Sequence, residues 1–148
     1  MSEERESMLQ DSYILISIHR MVKELYHETT KIASSHGLTL PQFGVLEALY
    51  HQDGLTVGEI KDKILSSNGT VPVIITNLEK QGMVEREKDP QDQRRTIVKL
   101  SGKGRQLIAE VIPENEKMFE EKFLAWSLEE KQTLIRLLRQ YREYQRED

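Results

Sequence analysis

Residues 77–104, NLEKQGMVEREKDPQDQRRTIVKLSGKG, contain a change of period that decides the fold. Up to Gly82 the apolar residues follow helical spacing: Val73, Ile74, Ile75 and Leu78 belong to one helix, and Gly82 is placed to close it. Beyond Gly82 the spacing becomes that of strands. Met83–Lys88 and Arg95–Leu100 are two short runs with Val84, Thr96, Val98 and Leu100 as packing residues. The segment between them, residues 89–94, is rich in turn formers. Together they predict a β-hairpin with a charged tip, followed by a helix capped by Ser101.

Upstream, Thr56 and Glu59 form a capping box that opens a helix through Ile60 and Ile64. The polar segment 66–69 joins it to the Val73–Leu78 helix, which makes a helix-turn-helix. Before that, Thr39 and Gln42 form another box with Pro41 in the first turn, where its missing N–H costs little. Phe43, Val45, Leu46 and Leu49 are the apolar stripe of this helix, which ends near residues 51–54. From Met8 to His36 the pattern is helical again, with Ile14, Ile18, Met21, Leu25 and Ile32 at spacings of three, four or their multiples. At about 1.5 Å per residue such a helix runs roughly 40 Å, longer than one small core can cover.

Downstream, Leu107, Ile108, Val111 and Ile112 continue the Ser101 helix, and Pro113 is expected to kink or interrupt it. Helical pattern resumes through Met118, Phe119 and Phe123. Ser127 and Glu130 make a third box, before a last helix carrying Leu134, Leu137, Leu138 and Tyr141. A helix-turn-helix followed at once by a hairpin is a winged helix. The expected fold is therefore mainly α with a minor β part, one domain over 1–148. The winged helix-turn-helix spans 37–105 with its wing at 83–100, and 1–36 and 106–148 are dimerisation helices.

Composition narrows the function. In 148 residues, 37% hydrophobic and 31% charged content is the balance of a folded globular chain. No apolar stretch approaches the ~18–20 residues of a membrane span, and the acidic N-terminus has no signal-peptide core, so the expected place is the cytoplasm with no membrane partner. With no cysteine there is no disulfide framework, thiolate metal site or thiol switch. Net charge is −4, yet residues 80–105 hold eight basic and four acidic groups, and each segment flanking them is net acidic. DNA binding needs only such a local cationic surface. The four histidines show no metal-ligand spacing, and no phosphate loop, nucleophile elbow or cofactor motif is present, so neither an enzyme nor a cofactor is expected. A winged helix used only for protein contacts predicts an uncharged or acidic wing, whereas this one carries Arg86, Lys88, Arg94 and Arg95.

Residues 77–86, then 89–95, then 98–104, resemble the MarR (multiple-antibiotic-resistance regulator) family's succession of recognition-helix end, first wing strand, D-x-R wing tip, second strand and helix start. LPQFGVLEAL at 40–49 and SLEEKQTLIRLL at 127–138 are similar to the family too, so the resemblance covers roughly residues 12–142. It implies an obligate homodimer built from the N- and C-terminal helices, one winged helix per subunit, and repression relieved by a small molecule. Two departures stand out. The absence of cysteine excludes the thiol-based oxidant sensors, and Pro72 fits only if the recognition helix begins near residues 69–71.

A recognition helix lays its N-terminal half in the major groove. With Val71, Ile74, Ile75 and Leu78 inward, Thr70, Val73, Thr76, Asn77 and Lys80 face out. Asn suits an adenine edge, Thr and Val methyls suit thymine, and Lys suits phosphate or guanine. Ser67 and Asn68, in the turn, are equally suited to phosphate contact or, with Thr70, to capping the helix. At the wing tip Arg94 is the candidate for a narrow minor groove. Asp92, by the resemblance, holds that arginine in place. Arg86, Lys88 and Arg95 are candidate phosphate contacts. Ile14, Ile18, Met21, Leu25, Leu134, Leu138 and Tyr141 form the candidate dimer seam, with Tyr144 near its end. A two-fold dimer would set two recognition helices ~34–36 Å apart on a pseudo-palindromic double-stranded operator. In the family a small ligand, here of aromatic or phenolic type, sits where the long helices meet the winged helix. His19, Tyr26, His27, Tyr50 and His51 are the residues suited to line it.

Overall fold

Hydroxyl side chains start most of the helices. Ser2, Thr39, Thr56 and Ser127 sit in extended backbone, and each accepts a hydrogen bond from the amide three residues on. At Thr39, Thr56 and Ser127 the reciprocal bond is present as well, so the three expected capping boxes form. The computed structural model describes residues 2–64 and 70–146. Within them the order is α1 (Glu3–Ser35), α2 (Leu40–His51), α3 (Val57–Lys63), α4 (Val71–Lys80), β1 (Val84–Lys88), β2 (Thr96–Leu100), α5 (Gly102–Phe123) and α6 (Leu128–Tyr144). The turn expected at 66–69 lies outside the described residues. α1 starts earlier than the apolar pattern indicates, because Ser2 caps it and Glu3, Glu4 and Glu6 suit the positive end of the helix dipole.

Two compact units divide the chain, Met1–Asn115 and Glu116–Asp148. In the first, α2 packs against α1, α3, α4 and β2. Its Phe43, Val45, Leu46 and Leu49 are buried with Ile60, Val71, Ile75, Leu78, Val84, Val98, Ile108 and Val111. Each such side chain contributes about 1.5–3 kcal/mol by leaving water. β1 and β2 are antiparallel, with Val84 opposite Leu100, Arg86 opposite Val98 and Lys88 opposite Thr96. Leu55 adds a further edge by exchanging two backbone hydrogen bonds with Val98, 3.1 and 2.8 Å. A one-residue bridge has no period, so the sequence pattern does not announce it. A buried hydrogen bond from Thr29 Oγ1 to Asn115 Oδ1, 2.7 Å, and a 2.9 Å pairing of His36 with Glu114 join α1 to α5.

Of the two expected effects of Pro113, a kink or an interruption, the interruption does not occur: α5 is helical from Gly102 to Phe123. Pro113 is exposed, and so is Ala109, whose carbonyl loses its usual donor. With both residues on the solvent side of α5, the Ala109 carbonyl can tilt toward solvent, so the loss of one bond is tolerated. In the second unit the rings of Phe119, Phe123 and Trp126 stack in succession, with centroids 6.1 and 5.6 Å apart, at the turn into α6.

Candidate nucleic-acid interface

α4 has Val71 as its first residue and Pro72 as its second, so the proline removes an amide that had no partner in the helix anyway. Val71, Ile75 and Leu78 are fully buried and Ile74 is half-buried. At about 100° per residue the stripe opposite them is Val73, Asn77 and Lys80. All three are exposed, Val73 by 60%. Thr70, the N-cap residue, is exposed as well. The helix ends in a Schellman motif, with Met83 N–H donating to Leu78 O and Gly82 N–H to Glu79 O. Gly82 takes φ +75° there, which L side chains rarely adopt.

The wing is laced to the helix-turn-helix by arginines. Arg86, on β1, reaches α4, where its Nη2 donates to Thr76 Oγ1 at 3.0 Å and its Nε lies 3.4 Å from Glu79 Oε2. Thr76 in turn donates to Pro72 O at 3.0 Å, so its hydroxyl is already engaged on both sides. Arg95 Nη2 donates to Glu59 Oε1 at 2.9 Å, while Glu59 Oε2 accepts from Thr56 N–H in the α3 capping box. One carboxylate thus starts α3 and anchors the second strand. On the other face, Lys99 pairs with Glu87 at 2.6 Å, and that hydrogen bond holds the Lys99 ammonium above the usual lysine range. Lys80 and Lys88 form no ion pair among the described residues.

The tip has one prominent side chain. Arg94 is 92% exposed, yet it is oriented: Asp92 Oδ1 accepts from both its backbone N–H, 3.1 Å, and its Nε, 3.2 Å. The same loop closes with Arg95 N–H donating to Asp92 O and Gln91 N–H to Asp89 Oδ1. A guanidinium tethered through Nε leaves its terminal nitrogens free to donate elsewhere, which suits insertion into a narrow groove.

A knot below the wing fixes it to the recognition helix. Ser101 Oγ donates to Gly82 O and accepts from Gly104 N–H at 3.0 Å, and Lys103 Nζ donates to Gln81 O. A Cβ on Gly104 would stand 2.0 Å from Met83 O, so only glycine fits.

Sequence reasoning singled out Arg86, Arg95 and Thr76 for DNA, and the structure places all three in contacts between elements. It missed their partners Glu79 and Glu59. Glu59 was legible as a cap, but a pairing between residues 59 and 95 leaves no local pattern. Ser67 and Asn68 lie outside the described residues. Of the seam residues, Ile14, Ile18, Leu138 and Tyr141 are exposed, and Met21, Leu25 and Leu134 are half-buried. Tyr50 and His51 meet edge to face at 5.8 Å. No hydrogen bond or ring contact among the described residues joins them to His19, Tyr26 or His27. Burial pushes the Tyr26 phenol up, so it stays protonated. No cluster of metal-ligating side chains occurs among the described residues, and no helix there is long and apolar enough to cross a membrane.

The sequence profile of the MarR family matches residues 38–96, from two residues before α2 to the first residue of β2. The transcriptional regulator HosA of Escherichia coli O111:H- is 31% identical over 102 residues, 69% of this chain and 76% of that protein. A MarR-like transcription regulator from Bacillus cereus ATCC 10987 superposes with a TM-score of 0.78 at 21% identity, covering 92% of this chain and 98% of the other. NadR in complex with 4-hydroxyphenylacetate superposes with a TM-score of 0.74 at 24% identity, covering 86% and 91%. The last two likenesses speak for the fold.

Proposed function

The chain belongs to the MarR family of DNA-binding transcription regulators, and on that premise we propose that it acts as a homodimeric repressor of a pseudo-palindromic operator. The observation that carries the DNA-facing part is Arg94, almost wholly exposed and held outward by Asp92. An arginine that served only stability would gain little from such a position, since exposed ion pairs contribute only about 0–1 kcal/mol. In this reading Arg94 enters the minor groove, and the outer stripe of α4 faces the major groove. Lys80 and Lys88 then neutralise phosphates between them. Thr70 stands at the end of α4 that enters first. Arg86 and Arg95 act as braces that set the angle between wing and helix.

The dimer rests on a different observation. The first half of α1 and all of α6 bury no residue, although Ile14, Ile18, Leu137, Leu138 and Tyr141 lie on them. A second copy covering these residues would account for apolar positions with no use in the monomer. Release by a small aromatic or phenolic ligand completes the reading. Its support is the fold neighbour that holds 4-hydroxyphenylacetate and the presence of Tyr26, Tyr50, His19, His27 and His51 on α1 and α2.

One experiment tests the core of this. A labelled duplex from the gene's own upstream region is titrated by fluorescence anisotropy against a scrambled duplex across a salt series. Tight, salt-sensitive binding of one dimer per native site is expected. Equal, weak binding to both duplexes would count against a sequence-specific regulator of its own region. Adding phenolic acids to the preformed complex then tests release.

A further inference from the structure

The α4 surface opposite the core is unusual in what it lacks: no guanidinium stands on it. Arg86 is spent on Glu79 and Thr76, and Arg95 on Glu59. Thr76, an otherwise suitable base reader, donates to Pro72 O and accepts from Arg86. In the N-terminal half of the helix, the part that goes deepest into a major groove, the stripe opposite the core begins with Val73, exposed by 60%. Valine has a lower helix propensity than most residues and gains nothing from water. Its branched Cβ is rotationally stiff in a helix, so its two methyls form a fixed apolar knob. Four residues on, along the same stripe, Asn77 is exposed. Lys80 follows one turn later and carries the only charge of the stripe.

In the major groove the one apolar feature that distinguishes a base pair is the thymine C5-methyl, and the side chain that matches adenine N6 and N7 is an amide. We infer that Val73 reads a thymine methyl in each half-site and that Asn77 reads an adenine beside it, so this regulator selects T·A-containing sites by methyl packing rather than guanine by arginine. Val73 and Asn77 are separated by four residues, about 6 Å of helix rise, which is close to two base-pair steps. The two bases therefore lie within two pairs of each other. This assignment rests on the regulator reading above and specifies its ligand.

The test replaces one atom group at a time. The purified protein selects its site from a random duplex library, and the selected duplex is remade with deoxyuridine in place of each half-site thymidine in turn. Wild type and Val73→Ala are titrated against the set by anisotropy. One thymidine position per half-site is expected to lose about fourfold in wild-type affinity on removal of its methyl, the worth of one buried CH₂-sized group. Val73→Ala should bind that pair of duplexes equally and should melt no lower than wild type, since residue 73 is exposed and alanine favours the helix. Asn77→Ala should lose discrimination at an adenine within two pairs of that position.

A selected site with no T·A pair in its half-site would overturn the assignment. So would methyl losses that are equal in wild type and Val73→Ala. Failure to select or retain any duplex at low salt would overturn the regulator reading itself, whereas tight binding indifferent to every methyl overturns the Val73 assignment alone.

Discussion

Residues 38–112 and the terminal helices use their apolar residues in opposite ways. Of the buried hydrophobic side chains among the described residues, all but Ala33 lie between Leu38 and Ile112. α6, with Leu134, Leu137, Leu138 and Tyr141, buries none, and α1 buries only Thr29 and Ala33 near its C-terminal end. The winged-helix segment completes its own core within one chain. The exposed apolar residues of the terminal helices contribute little to a single subunit, which is why they suit an intersubunit seam. The contrast separates two kinds of amphipathic helix that look alike in sequence, since the same period of three and four serves both an internal core and a partner's surface.

The sharpest break of that comparison is a charge in the terminal helices. Ile18→Glu combined with Leu138→Glu should raise the dimer dissociation constant about a hundredfold or more, close to 3 kcal/mol. Sedimentation equilibrium over a concentration series reads it directly. A wild type that sediments as a monomer, or a double variant that dimerises unchanged, would remove the seam. The winged-helix counterpart is Gly104→Ala. Its new Cβ meets a backbone carbonyl that cannot rotate aside, so the cost falls on the joint between wing and recognition helix. About 3 kcal/mol of stability loss is expected by urea denaturation. Gly102→Ala, two residues away with open space around it, should change stability by less than about 0.5 kcal/mol.

Between these extremes stands the wing tip, which belongs to neither a core nor a seam. Arg94→Ala should weaken operator binding by about 1–3 kcal/mol. Thermal stability should stay the same, because the lost ion pair is exposed. Affinity that survives the substitution would assign the minor-groove contact elsewhere. Asp92→Ala should give a smaller loss, because the arginine remains but is no longer aimed.

Legibility in the sequence follows the range of the interaction. Capping boxes at Thr39, Thr56 and Ser127 were readable because both partners lie within one turn, and the hairpin because its period and turn residues are local. Of the five residues that helical geometry set outward, Thr70, Val73, Asn77 and Lys80 are exposed, whereas Thr76 is half-buried and bonded to Arg86, which the helix pattern does not announce. At Pro113 the sequence left a kink and a break both open, because a propensity carries no information about whether the carbonyl that loses its donor is exposed. The braces from Arg86 to Glu79 and Arg95 to Glu59, the Leu55 bridge and the Thr29–Asn115 bond depend on which elements the fold brings together. In sequence each is an unremarkable residue. The charge map was incomplete in the same way: of the eight cations between 80 and 105, Arg86, Arg94, Arg95, Lys99 and Arg105 are in ion pairs with Glu79, Asp92, Glu59, Glu87 and Asp53.

The smallest expected effect tests whether α6 starts by its own local chemistry. Ser127 N–H donates to Glu130 Oε1 at 3.0 Å, and Glu130 N–H donates to Ser127 Oγ at 3.1 Å. The bond from the Ser127 backbone, then that to its side chain, holds the Glu130 carboxyl below the ordinary glutamate range. A carboxyl whose folded value is depressed stabilises the folded state above its unfolded value, and that contribution disappears as pH falls through the folded one. Wild type should therefore lose more melting temperature than Glu130→Gln as pH drops through about 4, the ordinary glutamate value, because glutamine keeps an acceptor but does not titrate. Ser127→Ala should behave differently, costing about 1 kcal/mol at neutral pH through the lost cap and leaving a weakened pH dependence, because the larger Glu130 bond to the backbone remains. If wild type and Glu130→Gln melt in parallel across that range, the box is a geometric accompaniment of α6 rather than one of its supports. The helix would then owe its start to whatever covers its apolar face.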